Sequence, residues 1–281
     1  MKDELGNKMK DWFESRIKTK LIRKCPVIIR ADGKAFHTFT KGFKRPFDEN
    51  LINMMNETAL FLCREIQGAK MAYVQSDEIS ILLTDFDKPD TEAWFDYQGH
   101  KLSSVSASYA TTAFNKALLK CYFDTKDLRE MLMAIEEGSL KFANFDSRPF
   151  SVPRVQDVTD YFIWRMKDAE KNSVSMLAQS MFSHKKLHGV SGREKIQMCI
   201  EKGVNWNELP SGQRYGRIIV KEKDWKETEH RIPEDKFSNG TAKHEDGKNY
   251  VMRNVWKVQE ETVPFWVDGE YIRNCIEMAV D

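Results

Sequence analysis

Apolar positions fall into runs with a helical period alternating with short runs that have a strand's character. Leu5, Met9, Trp12, Phe13 and Ile17 share one helical face, which predicts an amphipathic helix over 3–19. A basic stretch follows (Arg16, Lys18, Lys20, Arg23, Lys24), and then Pro26-Val27-Ile28-Ile29-Arg30 reads as a short buried strand closed by Asp32-Gly33. Asp48 fits a helix N-cap ahead of Leu51, Met55, Ala59, Leu62 and Ile66, with Gly68 as the stop. Residues 71–74 and 79–83 flank the polar Gln75-Ser76-Asp77-Glu78 and predict a hairpin. A long helix carries Leu102, Val105, Tyr109, Ala113 and Leu118; 142–150 fits a strand and 155–182 a helix. Ser191-Gly192-Arg193-Glu194 is a capping box opening a helix that ends at Gly203. Beyond Asn207-Glu208-Leu209-Pro210 the chain turns charged and irregular, with 227–249 an exposed loop or hairpin.

The first 150 residues thus run helix, strand, helix, strand, strand, helix, strand. That order suits an α+β domain with a mostly antiparallel sheet covered by helices, a split βαβ or ferredoxin-like arrangement, better than a doubly wound parallel sheet. Composition narrows the class further. The 281 residues are 41% hydrophobic with only 14 Gly and 8 Pro, which excludes collagen-like and disordered chains. The 44 Lys+Arg against 43 Asp+Glu exclude a polycation but not a local basic patch. Five scattered cysteines without a Cys-x-x-Cys argue against a disulfide framework or a zinc ribbon. No apolar run approaches a membrane span or an export signal, so a reducing, cytoplasmic setting is expected.

Two places carry chemistry. In Ile29-Arg30-Ala31-Asp32-Gly33-Lys34-Ala35-Phe36-His37 a carboxylate ends a buried strand, and the glycine beside it lets backbone approach a cation or a phosphate. Ser76-Asp77-Glu78 places two acids at a hairpin tip. If the first strand lies beside that hairpin, Asp32 and Asp77 converge into an all-oxygen site that suits Mg²⁺ and phosphate chemistry. Each place also has a plain reading: a β-turn for both acidic motifs, a packed ring for His37, core positions for Phe36 and Phe39. Solvated loops serve equally well for His184-Lys185-Lys186-Leu187-His188 and for the basic stretch at 16–24.

The string Arg30-Ala31-Asp32-Gly33-Lys34-Ala35-Phe36-His37-Thr38-Phe39, then Lys44-Arg45-Pro46-Phe47-Asp48, then Tyr73-Val74-Gln75-Ser76-Asp77-Glu78-Ile79-Ser80 resembles the tRNA(His) guanylyltransferase family in order and spacing. Weaker similarity runs through Trp164-Arg165 and Asn172 to Asn207-Glu208-Leu209-Pro210, Arg214 and Gly216. The resemblance implies a polymerase-palm-like catalytic domain over 1–150, with a helical and charged region over 151–281 packed on it as one catalytic unit. It implies addition of nucleotides, GTP preferred, to the 5′ end of tRNA in the 3′–5′ direction after activation with ATP or GTP. Carried over by position, Asp32, Gly33 and Asp77 would hold two Mg²⁺ ions, with Glu78 supporting them. Lys34, Ala35, Phe36, His37, Arg45, Asp48 and Ser76, together with those metal ligands, would bind the nucleotide. Arg30, Asn172, Ser173, Lys185, Lys186 and Arg214 would meet tRNA. A homotetramer is implied as well.

One departure refines this expectation. Eukaryotic members that mark histidine tRNA carry His-Ile-Asn-Asn where this chain has Glu170-Lys171-Asn172-Ser173. The pattern is closer to the bacterial and archaeal guanylyltransferase-like proteins, which favour templated repair of truncated tRNA 5′ ends. Untemplated guanylate addition, a palm-type nucleotide cyclase and a non-catalytic tRNA-binding protein are the alternatives.

Overall fold

The computed structural model describes residues 3–124 and 127–277. Among them a seven-stranded sheet has the order β4-β1-β3-β2-β5-β7-β6, and every neighbouring pair is antiparallel. Strands β1 (Val27–Gly33), β2 (Ala69–Gln75), β3 (Glu78–Leu83) and β4 (Phe145–Ser151) form its first part. Helix α3 (Glu49–Glu65) connects β1 to β2, and α4 (Gly99–Phe123) connects β3 to β4. This is the expected ferredoxin-like βαββαβ unit, with β1 held between β3 and β4.

Side chains alternate across the pleat and divide the core in two. Val27, Ile29 and Ala31 face α3 and α4, while Ile28 faces the opposite side with Met71, Tyr73 and Leu82. That second face is covered by α6 (Val155–Met181) and α11 (Tyr271–Glu277), through Val158, Phe162, Met166, Ile272 and Ile276. A sheet buried on both faces explains why β2 and β3 have no exposed position.

The remaining strands come from the C-terminal third. β5 (Arg217–Thr228) joins the edge of β2 over four residues and then continues, paired with β7 (Lys248–Val258), beyond the sheet. β6 (Ala242–Glu245) closes that edge, and α10 (Glu234–Ser238) lies in the connection. The charged stretch 227–249 thus contains the β6–β7 hairpin, and the ordered pairing begins ten residues earlier, with Arg217 opposite Val74. A smaller cluster of Val174, Leu177, Leu187, Cys199 and Trp206 joins the end of α6 to α7 (His184–Leu187) and α8 (Gly192–Ile200), with α9 (Ser211–Tyr215) beyond.

Three other expectations change. The N-terminal helix stops early: α1 spans Glu4–Trp12, a break at Phe13 follows, and Glu14–Ile17 form a 3₁₀ turn. Among the described residues none of its apolar side chains is buried, and Leu5, Met9, Trp12 and Phe13 are all exposed. Helix α5 (Leu128–Glu136), capped by Asp127, occupies a region the periodicity did not single out. Short α2 (Phe36–Phe39) continues directly from the strand-end motif.

Candidate active site

The predicted convergence occurs because β1 lies beside β3. Asp32 is the cross-strand partner of Glu78, and the Gly33 amide donates to the Asp77 carbonyl at 3.0 Å. Ser76 and Asp77 form the two-residue turn joining β2 to β3, with Ser76 in the left-handed region at φ 46°. A non-glycine residue held there stores strain of about 1–3 kcal/mol, and such strain concentrates at functional sites. Burial lifts the Asp77 carboxyl above its ordinary value; the Ser76 hydroxyl and the Asp77 backbone offset this in part, and the charges of Asp32 and Glu78 add to it.

Asp32 and Asp77 border a cavity of about 500 Å³. One wall is the segment after β1, with Gly33, Ala35, Phe36, His37, Lys44, Arg45 and Asp48; another is the turn, with Gln75 and Ser76. Asn172 and Ser173 of α6 close one side, and Gly212, Gln213, Gly216 and Arg217 close another. Local structure fixes this wall. Phe36 is buried against Phe39, Phe114 and Phe145, with ring centroids 5.0–5.4 Å away, so its side chain belongs to the core while the residue also borders the cavity. A Cβ on Gly33 would lie 2.2 Å from the Phe36 ring, so only glycine lets the chain turn there. Asp48 caps α3 as predicted, accepting from the Leu51 amide at 3.1 Å, and its other oxygen accepts from the Lys44 amide at 2.9 Å. His37, Lys44 and Arg45 are exposed rather than packed.

Several site residues lie elsewhere. The Glu78 carboxylate is buried and receives both arms of the Arg165 guanidinium at 2.8 Å each, so it faces α6 and does not line the cavity. Arg30 lies 4.0 Å from Glu78, with its Nε buried and unbonded. Lys34 is exposed, its amide bonded to the Asn144 carbonyl. Arg214 stacks over Trp206 and Tyr215 in a separate surface groove, and Lys185 and Lys186 are exposed on α7. Sequence reasoning missed Arg165 as the partner of Glu78. It also missed Arg217, whose basic side chain is unremarkable in a charged segment until β5 is placed against β2.

The donor set fits Mg²⁺. No group of three His, Cys, Asp or Glu side chains suited to a metal occurs among the described residues. Mg²⁺, however, is commonly held by one or two carboxylates plus waters and substrate phosphates. Asp32 and Asp77 supply two, and the proton affinity that burial and neighbouring acids give Asp77 is what a divalent cation would replace.

A ferredoxin-like sheet with carboxylates at a strand end and at the adjacent hairpin turn, under a basic-lined cavity, defines a palm-type nucleotidyltransferase. Residues 6–153 match the family model described as Thg1: tRNAHis guanylyltransferase. The chain belongs to the tRNA(His) guanylyltransferase family. A solved structure titled as a bacterial tRNA(His) guanylyltransferase (Thg1)-like protein in complex with ATP superposes with a TM-score of 0.76 at 37% identity, covering 97% of this chain and 99% of that one. A second, in complex with GTP, gives a TM-score of 0.73 at 34% identity, covering 98% and 100%. The probable tRNA(His) guanylyltransferase of Drosophila melanogaster is 27% identical over 87% of this chain and 81% of its own length. Among the described residues no helix is long and apolar enough to cross a membrane.

Proposed function

We propose that this protein adds nucleotides to the 5′ end of tRNA in the 3′–5′ direction, and that it does so against a template, as a repair enzyme. The observation that carries this reading is the meeting of Asp32 and Asp77 at the edge of a cavity that Lys44, Arg45 and Arg217 also line. Acids and cations lining one cavity suit a nucleoside triphosphate whose reacting phosphate lies at the acids. The complexes of similar proteins with ATP and with GTP support both nucleotides as substrates, ATP or GTP for activating the 5′-phosphate and GTP for addition.

Asp32, Asp77 and the Gly33 carbonyl would hold two Mg²⁺ ions. Bound there, they supply charge neutralisation for an in-line phosphoryl displacement. Ser76 and the backbone from Lys34 to His37 orient the nucleotide, and Lys44 and Arg45 balance its phosphates. Asp48 fixes the Lys44 end of that segment, and Glu78 supports the turn through Arg165. Asn172 and Ser173 form the wall nearest the incoming RNA, while Arg30, Arg214, Lys185 and Lys186 meet the tRNA outside the cavity. Templating is supported by Glu170-Lys171-Asn172-Ser173, which lacks the histidine and the final asparagine of histidine-tRNA-marking members. A homotetramer in the cytoplasm completes the reading; the exposed apolar row of α1 supports self-association.

The test incubates the protein with Mg²⁺, ATP, labelled GTP and a 5′-truncated tRNA, varying the template base opposite the gap. Addition that follows the base, lost in Asp32→Asn and in Asp77→Asn while tRNA binding persists, is the expected result. Absence of 5′ extension on every tRNA defeats the reading, and addition of G whatever the base defeats the templated part of it.

A further inference from the structure

Arg217 is a buried cation without a buried counter-ion. Its side chain sits at the first position of β5, opposite Val74 and hence on the α3 face of the sheet. Only 9% of the residue is exposed. The groups that hold it are neutral: Nε donates to the Asn56 side-chain oxygen at 2.7 Å, and Nη1 to the Gly212 carbonyl at 3.4 Å. No carboxylate lies within ion-pair distance of it among the described residues; Glu49, on the same helix as Asn56, is engaged by Gln213 at 3.0 Å. Burial lowers the guanidinium pKa to about 10, and nearby Tyr73 and Glu49 offset this only in part.

A desolvated charge is ordinarily paired, because leaving it alone costs several kcal/mol. Arg217 lines the cavity that Asp32 and Asp77 border, so the missing partner has space and an entrance. Val74 lies one residue before the end of β2 and Ser76-Asp77 form the turn beyond it, so Arg217 stands back along the strand from the acidic turn. That separation places it away from the reacting phosphate and toward the outer part of a triphosphate. Gly216, beside it, has φ 81°, and a Cβ there would sit 2.5 Å from the Tyr73 hydroxyl, so the entry of the chain into β5 is rigid and the guanidinium is aimed.

The geometry points to Arg217 as the buried counter-ion for the terminal phosphates of the bound nucleoside triphosphate. This inference rests on the cavity being the nucleotide site of the proposed function, and it concerns which residue makes the site prefer a triphosphate to a mono- or diphosphate. Lys44 and Arg45, exposed on the facing wall, contribute charge but stay solvated. Arg217 alone offers its charge already stripped of water, where a hydrogen bond to phosphate is strongest.

The experiment measures equilibrium binding of GTP, GDP, GMP and inorganic tripolyphosphate to the full chain with Mg²⁺ and without tRNA. Wild type, Arg217→Met, Arg217→Lys and Asn56→Ala are compared, each first checked for folding by circular dichroism. In Arg217→Met, affinity for GTP and tripolyphosphate falls about ten- to hundredfold, the equivalent of one charged hydrogen bond, while GMP affinity is unchanged. Arg217→Lys recovers part of the loss, and Asn56→Ala, which keeps the charge but frees it, gives a smaller loss of the same kind. If folded Arg217→Lys and Asn56→Ala keep wild-type preference for GTP over GMP, the assignment is overturned even should Arg217→Met fail to fold. An equal loss for GMP and GTP overturns it too. No turnover is involved, so a protein that shows this preference but extends no tRNA refutes the proposed function and leaves the role of Arg217 standing.

Discussion

Removing the Arg165 guanidinium while keeping Glu78 is the most severe single test of how the acidic turn is held. Arg165 and Glu78 are 8% and 7% exposed, and two parallel hydrogen bonds of 2.8 Å join them, with a further 3.1 Å contact from Arg165 to Asp168. In Arg165→Met the thioether fills much of the stem's volume, but the Glu78 carboxylate stays buried; Arg30, at 4.0 Å, is too far to replace a bidentate partner. Breaking such a pair from one side costs about 3–5 kcal/mol, whereas removing both charges is often neutral. Urea denaturation should therefore show Arg165→Met losing about 3–5 kcal/mol, and the double variant Glu78→Gln/Arg165→Met recovering at least half of it. Nucleotide addition should fall in Arg165→Met beyond what the unfolded fraction explains, because Glu78 adjoins Asp77 and its tether sets the turn. A loss below about 1 kcal/mol in the single variant, or a double variant no better than the single, would refute the reasoning, since either result means Glu78 is solvated.

Two further outcomes follow from the segment after β1. Gly33→Ala brings a methyl to within 2.2 Å of the Phe36 ring, so stability drops by about 1–3 kcal/mol and GTP affinity falls with it; calorimetric titration alongside thermal melting checks both, and wild-type values for both contradict the packing described. Asp48→Ala removes the α3 cap and the Lys44 anchor together, lowering stability by about 1–2 kcal/mol in urea denaturation, and Asp48→Asn should restore roughly half.

How far the sequence discloses this arrangement depends on whether the information is local. Helix α6 was predicted over 155–182 and spans Val155–Met181, because twenty-seven residues of consistent period average out individual exceptions. The caps at Asp48 and Ser191 were legible for the same reason, each being a side chain answering an amide three residues on. The β5–β7 hairpin hid because most of it has no sheet to cover it, so charged residues occupy both faces and no alternation marks a strand. The N-terminal helix shows the converse. Its apolar spacing is genuine, yet periodicity says nothing about what the face meets, and among the described residues that face stays exposed. At the site, Asp32 and Asp77 were visible as residues suited to a cation, but their meeting depends on β1 pairing with β3 across some fifty residues, a non-local event. Arg217 and Arg165 acquire meaning only after that pairing, since nothing near them in sequence identifies Glu78 or the cavity.

Helix α6 binds the hairpin through Arg165, and two turns later Asn172 and Ser173 line the same cavity, with the Trp206 indole donating to Ser173 at 2.9 Å. The acidic turn and the far wall are thus both tied to one helix anchored at both ends. The segment from Lys34 to Asp48, by contrast, is held by ring packing at Phe36 and by the Asp48 cap rather than by a buried ion pair. On the proposed function, α6 would then act as a fixed reference from which the acidic turn and the far wall keep their spacing, whichever nucleotide enters.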